Sequence, residues 1–368
     1  MDNPYDIKQE KKRSNGFNLG GIFVICIEKE EIERLYHEIA IDIQRRLAAN
    51  LQRPKKRIII LAGPTCVGKS SFAMALAPTL EAEIVSADSM QVYRGMDIGT
   101  AKPSREDRDI VPHHLIDIRE ITESFNSVDF YYEARQACQV IHARDNTVLV
   151  VGGSGFYLHS LIYGPPSGPP SIPELRKSLE NEIESLGPEA LFERLEQLDS
   201  EYAATITKND KQKIVRALEI ITLTGKKVSK LAWKTRLKPL NYEFHCWFLH
   251  RPRPSLYQRI DKRCEQMLDL GFLDEVRALK EAGIDSNSTA SQAIGYRQAL
   301  EFLNKKGTAQ EYDEFVQEFK KASRHYAKRQ LTWFRPDHEP LFRWLDLDLH
   351  DPEVAMDIIT KDFKARYD

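Results

Sequence analysis

The residues best suited to chemistry lie in a glycine-rich stretch that follows the aliphatic run Ile58–Leu61. This stretch has the spacing of a phosphate-binding loop between a strand and a helix, Gly, four residues, then Gly-Lys-Ser. In such loops backbone N–H groups surround phosphate oxygens, the lysine adds charge, and the hydroxyl can bind Mg²⁺. The alternative is a plain glycine turn. We predict a polyphosphate site formed by Gly63, Pro64, Thr65, Cys66, Val67, Gly68, Lys69 and Ser70, with Ser70 as the metal ligand.

A carboxylate follows the next strand that the pattern predicts. Asp88 comes shortly after the apolar run Ala82–Ser86. A carboxylate at a strand end near a phosphate loop can hold Mg²⁺ or accept a proton from a nucleophile. The alternative is an aspartate that caps a turn or a helix, and position alone does not separate the two.

Two arginines form a third candidate group. Arg259 and Arg263 are four residues apart in a predicted helix, so they share one face. Two guanidinium groups on one face suit a multiply charged phosphate leaving group. The alternative is that they pair with nearby acids, Asp261, Glu265 and Asp269.

Two further stretches are rich in cations. The window 208–238 carries ten Lys and Arg residues against two acids, and the window 320–335 carries six and no acid. Aromatic residues are interleaved in the second window. Phosphate backbones attract such patches, and aromatic rings can stack on unpaired bases, so the second window favours nucleic-acid binding. The alternative is an ordinary solvated helix face.

The elements that position these residues alternate along the chain. Predicted strands at 58–61, 82–86, 147–151 and 244–249 are interleaved with predicted helices, which indicates a parallel, doubly wound α/β sheet. The strand at 147–151 ends in Gly-Gly-Ser-Gly rather than an acid, which disfavours an ATP-hydrolysing motor. Because ligands bind at the carboxyl ends of such strands, the loop, Asp88 and Gly152–Gly155 should meet in one crevice.

The same pattern divides the chain into three parts. Residues 1–56 form an N-terminal extension with a predicted helix at 28–51. Residues 57–163 and 244–368 form the P-loop α/β core, and 164–243 form an all-helical insertion after a proline-rich connector. Within these parts the apolar spacing predicts helices at 71–80, 128–144, 156–161, 174–186, 188–198, 200–206, 211–223, 255–282, 291–304 and 309–334, with a short strand near 341–345.

The totals exclude several classes of protein. With a net charge of −2, the chain is not a basic nucleic-acid binder as a whole, so any such contact comes from local patches. Its five cysteines lack metal-ligand spacing, which favours a reducing, cytoplasmic location. No apolar run approaches the roughly 20 residues of a membrane span. We expect a monomer that does not enter a membrane.

Seven stretches together resemble the bacterial tRNA dimethylallyltransferases, which prenylate the N6 amine of adenosine 37 beside the anticodon. They occur in the family's order and span about 57–345: Gly63–Ser70, Ser86–Pro103, Pro112–Asp117, Val151–Tyr157, Arg216–Glu219, Gln292–Arg297 and Lys328–Phe334. Two departures are Cys66-Val67, where the family usually has Ala-Ser, and Ser154, where it usually has Thr.

The resemblance implies that the loop holds the diphosphate of dimethylallyl diphosphate, with Mg²⁺ as cofactor, and that Asp88 faces the adenine amine. The implied catalytic residues are Asp88, Lys69, Thr65, Arg259 and Arg263. The partner is the anticodon stem-loop of tRNAs that read U-initial codons. The implied tRNA contacts are Asp88, Ser89, Met90, Gln91, Ser154, Arg176, Gln212, Lys213, Ile214, Val215, Arg216, Gln292, Ala293, Ile294, Gly295, Tyr296, Arg297, Ser323, Arg324, His325, Tyr326, Ala327, Lys328, Arg329 and Gln330.

Two other functions fit parts of the pattern. A small-molecule kinase would use the same loop for ATP, with Asp88 as base for a hydroxyl. It would bind ATP tightly and would not need the basic patches. A non-catalytic RNA-binding module with a vestigial loop would keep its function when Lys69 is replaced by alanine.

Overall fold

The structure is a computed structural model, which describes residues 16–19, 22–25, 55–165, 168–231 and 241–365. The chain separates into two units, 1–55 and 56–368. In the first unit, β1 (Gly16–Leu19) and β2 (Ile22–Ile25) pair as an antiparallel hairpin that the sequence pattern did not predict. The helix predicted at 28–51 lies outside the described residues.

The second unit is built on a parallel sheet of six strands. In spatial order the strands are β5 (His113–His114), β4 (Ala82–Ala87), β6 (Thr147–Gly152), β3 (Lys56–Ala62), β7 (Tyr242–His250) and β8 (Phe342–Asp346). Each neighbouring pair is parallel. The central strands are buried on both faces because their residues are almost all aliphatic, as in Ile58–Leu61. The α/β fold with a parallel sheet is therefore confirmed.

Helices follow the strands along the chain. In the amino-terminal half they are α1 (Lys69–Thr79), α2 (Arg105–Ile110), α3 (Ser127–Ala143) and α4 (Gly155–Tyr163). The next group is α5 (Pro173–Leu186), α6 (Pro188–Leu198), α7 (Ser200–Ala203) and α8 (Lys211–Thr224). After β7 come α9 (Arg253–Asp269), α10 (Phe272–Glu281), α11 (Tyr296–Leu303), α12 (Ala309–Trp333) and α13 (Pro352–Lys364).

Several predicted boundaries are wrong. The helix predicted at 255–282 is two helices, α9 and α10, because Gly271 takes a left-handed conformation with φ 92°. The helix predicted at 291–304 begins only at Tyr296, since Gly295 has φ 88°. The helix predicted at 200–206 ends at Ala203. The pattern also missed α2, the two-residue strand β5 and the terminal helix α13.

The helices α5 to α8 enclose a hydrophobic core of their own. Its buried residues include Leu179, Leu191, Leu195, Ile214 and Leu218, and they form a cluster separate from the core around the sheet. A separate core is what an inserted helical domain requires. The division into 57–163 with 244–368 and 164–243 remains a prediction that this packing supports.

Candidate active site

The loop Gly63–Ser70 connects β3 to α1, as the sequence predicts. Val67 is fully buried beneath the loop, and Gly63 has no room for a side chain, because a Cβ there would lie 2.5 Å from the carbonyl oxygen of Leu249. Gly68 has φ 108°, which a residue with a side chain rarely adopts. The first turn of α1 follows at once, so its unpaired N–H groups face the same space as the loop.

Lys69 is the cation of this loop. Its ammonium group donates a hydrogen bond to the carbonyl of Pro64 at 2.8 Å. Burial lowers its pKa from 10.5 to about 8, and the nearby carboxylate of Asp88 opposes this shift only in part. Among the described residues no carboxylate is in hydrogen-bond contact with this ammonium group. A partly dehydrated ammonium group of this kind is suited to receive an anionic ligand.

Asp88 stands just beyond the end of β4, and its geometry is compatible with both alternatives that its position left open. Its Oδ1 accepts hydrogen bonds from the backbone N–H groups of Met90 at 2.8 Å and Gln91 at 3.3 Å, so it caps the turn. Among the described residues, Oδ2 has no hydrogen-bond partner. The carboxylate is thus held at one oxygen and left open at the other, the arrangement of an acceptor for an incoming N–H or O–H group.

The loop and Asp88 border two adjoining cavities. The loop cavity, of about 430 Å³, is lined by charged and polar side chains that include Lys69, Asp88, Arg259, Lys262 and Arg263. The side cavity, of about 290 Å³, is lined largely by apolar and aromatic residues. Residues that line both cavities are Thr65, Cys66, Asp88, Thr100, Arg263 and Tyr326.

Arg259 and Arg263 do not pair with the acids of their own helix. Asp261 instead pairs with Arg324 at 2.5 Å, and Glu265 pairs with Lys320 at 2.6 Å. Arg259 donates from Nε to the carbonyl of Cys66 at 2.9 Å. Arg263 has no hydrogen bond or ion pair among the described residues. Both guanidinium groups therefore border the loop cavity as cations that are not neutralised by a carboxylate.

The turn after β6 is tied to this crevice. The hydroxyl of Ser154 accepts a hydrogen bond from the backbone N–H of Ser89 at 3.2 Å. A Cβ at Gly153 would lie 2.9 Å from the carbonyl oxygen of Gly63 and 2.2 Å from Nε2 of Gln330, so a side chain there would displace the loop or Gln330. The predicted convergence of the loop, Asp88 and Gly152–Gly155 at one edge of the sheet is what the structure shows.

The remaining predicted contact residues differ in whether they line a cavity. Those near the side cavity are Ser89, Met90, Gln292, Ala293, Ile294, Tyr296, Ser323, Tyr326 and Arg329. Gln91 and Gln330 line the loop cavity. Gly295 is buried, Arg297 lies on the surface of α11, and His325 and Lys328 are exposed on α12. Arg176, Gln212, Lys213 and Arg216 belong to the helical insertion and line neither cavity.

Three of the residues predicted to contact RNA have buried side chains. Ile214 and Val215 are buried in the core of the helical insertion, and Ala327 is a buried residue of α12. Their side chains hold helices in place and do not reach a surface that RNA could contact. Within the same motif Gln212 and Lys213 are exposed, whereas Arg216 is engaged by Glu219 and by the carbonyl of Pro169, each at 2.6 Å.

Sequence reasoning missed several residues of the crevice. Lys262 and Gln266 line the loop cavity three and seven residues after Arg259, and this helical spacing was a usable signal. His113 also lines the loop cavity. Its Nδ1 donates to the carbonyl of Val111 at 2.7 Å, and burial lowers its pKa, so its Nε2 is an unprotonated acceptor at neutral pH. Ile260, Met267 and Phe319 line the side cavity, and only tertiary packing places them there.

No cluster of three or more potential His, Cys, Asp or Glu metal ligands exists among the described residues. No helix in this part of the chain has both the length and the apolar character needed to cross a membrane. The four described cysteines, Cys66, Cys138, Cys246 and Cys264, are free thiols.

A six-stranded parallel sheet with a loop of phosphate-binding spacing between β3 and α1 defines a P-loop-type α/β protein. The comparisons narrow this class. The model of the family described as IPP transferase matches residues 91–337, so the chain belongs to that family. The resemblance inferred from the sequence motifs is confirmed.

Curated relatives agree with this assignment. The tRNA dimethylallyltransferase of Protochlamydia amoebophila is 66% identical over 337 residues, which cover 92% of this chain and 97% of the relative. The tRNA dimethylallyltransferase of Chlamydia pneumoniae is 50% identical, with 84% of this chain and 90% of the relative covered.

Solved structures show the same fold. A tRNA isopentenylpyrophosphate transferase from Bacillus halodurans matches with TM-score 0.60 and 38% identity, covering 83% of this chain and 95% of that one. A eukaryotic dimethylallyltransferase that acts on tRNA matches with TM-score 0.69 and 28% identity, covering 84% and 80%.

Proposed function

We propose that this chain transfers a dimethylallyl group from dimethylallyl diphosphate to N6 of adenosine 37, in tRNAs that read U-initial codons, and releases diphosphate. The observation that carries the proposal is the pair of adjoining cavities, one cationic and one largely apolar, with Asp88 between them. A cationic cavity suits a diphosphate leaving group, and an apolar, aromatic cavity suits a base and a prenyl chain. Membership of the family supports the same reaction.

The amine is activated by the open carboxylate. Adenosine 37 is flipped out of the anticodon loop so that its N6 can reach Asp88, as enzymes that act on a base require. Oδ2 of Asp88 accepts a hydrogen bond from N6 and takes one of its protons. The N6–C1 bond forms as the bond between C1 and the diphosphate oxygen breaks. An exocyclic amine is a poor nucleophile, so positioning must supply much of the rate.

The leaving group is stabilised by the loop cavity. Negative charge grows on the diphosphate as its bond to C1 loosens. The backbone N–H groups of the loop and of the first turn of α1, Thr65, Lys69, and the guanidinium groups of Arg259 and Arg263 are arranged to receive it. Groups fixed before the reaction stabilise a developing charge without the cost of reorganising.

A magnesium ion fits this donor set only with help from the substrate. Ser70 lines the loop cavity and is exposed there, and Asp88 is the nearby carboxylate. Mg²⁺ usually binds few protein ligands and completes its shell with phosphate oxygens and water. The ion would be held by Ser70 and the diphosphate, and when bound it would neutralise charge on the leaving group.

The RNA is held by two surfaces in this proposal. One is the part of α12 that exposes His325, Lys328 and Arg329, together with the segment Gln292–Arg297. The other is the helical insertion 164–243, where Gln212 and Lys213 are exposed and would clamp the stem-loop. We expect a monomer. With tRNA as its substrate, we expect the enzyme in the cytoplasm.

One assay tests the function. The protein is incubated with Mg²⁺, labelled dimethylallyl diphosphate and unmodified tRNA in which residues 36–38 are all adenosine. We expect label in the RNA, and none when residue 37 is guanosine. Absence of label in both RNAs, with ATP consumed in the presence of a small hydroxyl compound, would overturn the proposal in favour of a kinase.

A further inference from the structure

Three consecutive residues of the phosphate-binding loop are each held by a side chain from a distant part of the chain. The bonds go to the backbone of the loop and not to its side chains. The three pairs are Gln330 Oε1 with the N–H of Thr65 at 2.8 Å, Arg259 Nε with the carbonyl of Cys66 at 2.9 Å, and Arg251 Nε with the carbonyl of Val67 at 3.0 Å.

These bonds decide which way the loop peptides face. In a trans peptide the carbonyl of one residue and the N–H of the next point in opposite directions. The bond from Arg251 fixes the carbonyl of Val67, so the N–H of Gly68 in the same peptide points away from Arg251, and Gly68 lines the loop cavity. The orientation that a phosphate requires is therefore built in before any ligand arrives.

Gln330 connects the loop to the sheet as well. While its Oε1 holds the loop, its Nε2 donates to the carbonyl of Gly153 at 3.1 Å, just beyond the end of β6. The residue is only 5% exposed, and both polar atoms of its amide are engaged by backbone groups. Both ends of the Gln330 amide are therefore used in bonds within the protein. The resemblance, in contrast, implies that this residue contacts RNA.

Arg251 has a second anchor on the opposite side of the loop. Its Nη1 donates to the carbonyl of Leu347 at 3.1 Å and forms an ion pair with Asp348, both just after β8. Arg251 lines neither cavity, so it is not placed to touch a ligand in the loop cavity. The planar guanidinium group donates in several fixed directions, which lysine cannot reproduce.

We propose that Arg251 and Gln330 are positioning residues that hold the phosphate-binding loop in its ligand-ready shape through bonds to its backbone. The inference rests on the proposed function, since it takes diphosphate as the ligand of the loop. It separates Arg251, which lines neither cavity, from Arg259 and Gln330, which hold the loop and also line the loop cavity. A loop that is ordered beforehand loses less freedom on binding, so removing either side chain weakens diphosphate binding.

The test measures binding of inorganic diphosphate with Mg²⁺ by titration calorimetry, using the full chain without RNA. We expect Arg251→Met and Gln330→Leu each to raise the dissociation constant about tenfold, the order of one lost preorganising bond. Arg251→Lys retains the charge but lacks the several fixed donors of a guanidinium group. Its dissociation constant should lie between those of Arg251→Met and the wild type. Gln330→Glu keeps an acceptor for Thr65 but loses the donor to Gly153, so it should also be intermediate.

Controls separate positioning from general damage. Arg253→Met and Gln317→Leu change exposed residues on the same segments as Arg251 and Gln330, and should leave diphosphate binding at the wild-type value. The dissociation constant for an anticodon stem-loop should stay within about twofold for Arg251→Met. If a truncating variant fails to fold, the conservative variant Arg251→Lys or Gln330→Glu decides the outcome.

Two results would overturn the inference. One is unchanged diphosphate affinity in folded variants at both positions. The other is an equal loss of diphosphate and RNA affinity in Arg251→Met, which would indicate general destabilisation. Failure of the proposed function would look different. A wild-type protein that binds inorganic diphosphate but transfers no prenyl group would contradict the proposed function, and the variants would still test whether Arg251 and Gln330 position the loop.

Discussion

The two cavities of the crevice share a wall but differ in their linings, since the loop cavity is richer in cations and the side cavity is richer in apolar side chains. The loop cavity is lined by Lys69, Arg259, Lys262 and Arg263. The side cavity is lined by Met90, Ile260, Met267, Phe319 and Tyr296, together with Arg263 and Arg329. Charge stabilisation and placement of the apolar groups are therefore assigned to different residues. We therefore expect that the two tasks can be separated by mutation, except at the six residues that line both cavities, which include Asp88 and Arg263.

We expect the largest effect on the transfer rate from a change at Asp88, which lines both cavities. In Asp88→Asn the new side chain can still accept the hydrogen bonds from Met90 and Gln91, but it cannot take a proton from the amine. Single-turnover prenyl transfer should fall roughly 10²–10⁴-fold, the range for general acid–base groups. Affinity for tRNA should be unchanged, as measured by filter binding. A transfer rate near that of the wild type would show that Asp88 does not act as the proton acceptor.

Lys69→Met acts on the loop cavity alone. It removes the cation that receives charge from the leaving group, so the transfer rate should drop roughly 10²–10³-fold. Binding of the anticodon stem-loop should remain at the wild-type value, as should the melting temperature, because a partly dehydrated ammonium group gives little stability. A matched control is Lys361→Met, which changes an exposed lysine of α13 paired with Asp357. Loss of RNA binding in Lys69→Met would show that the cavities are not separable.

The pH dependence follows from the pKa of Lys69. Burial lowers this pKa to about 8, so the free enzyme loses the ammonium charge as the pH rises above 8. Affinity for diphosphate should be flat just below pH 8 and about tenfold weaker at pH 9, since binding must then take up a proton. The free energy of unfolding changes in the opposite direction. It should rise with pH between 8 and 10.5, because in this range Lys69 binds a proton in the unfolded chain but not in the folded chain.

Calorimetry in buffers of different protonation enthalpy would detect this uptake. The Lys69→Met variant is the control, and it should show no such uptake and no such decline in affinity above pH 8. A wild-type profile that stays flat to pH 10 would contradict the assignment of Lys69 as the cation that titrates in the loop cavity.

The smallest effect is expected outside both cavities. Lys213 is exposed on α8 and pairs with Asp210 at 3.4 Å, a weak surface contact. Lys213→Ala should reduce tRNA affinity by a few-fold and lower the slope of log affinity against log salt by about one. Diphosphate affinity should not change. An effect on diphosphate binding, and none on RNA, would reject the clamp role proposed for the helical insertion.

Local patterns made much of this crevice predictable. The loop, the strands on either side of it and Asp88 are specified by residues close in sequence, so their types and spacing indicated both structure and chemistry. The break at Gly271 was missed because the apolar spacing continues across it, from Met267 to Phe272. A glycine inside a helical pattern is only a weak signal of a break.

Contacts between distant residues could not be predicted. The hydrogen bond from Thr65 to Gln330 joins residues 265 positions apart, and the bond from Arg251 to Val67 joins residues 184 apart. Their side chains are polar and unremarkable in the sequence. The burial of Ile214 and Val215 was missed for a different reason, because the motif was interpreted as a whole and its apolar positions were not set apart as core.

The central claim is that the loop holds a departing diphosphate and not an energy source. It is tested most directly by a single-turnover reaction without ATP, in which prenylated adenosine and released diphosphate are counted in the same quenched samples. The account predicts that the two appear together, one for one, at every time point. A requirement for ATP, or inorganic phosphate released in step with product, would contradict it.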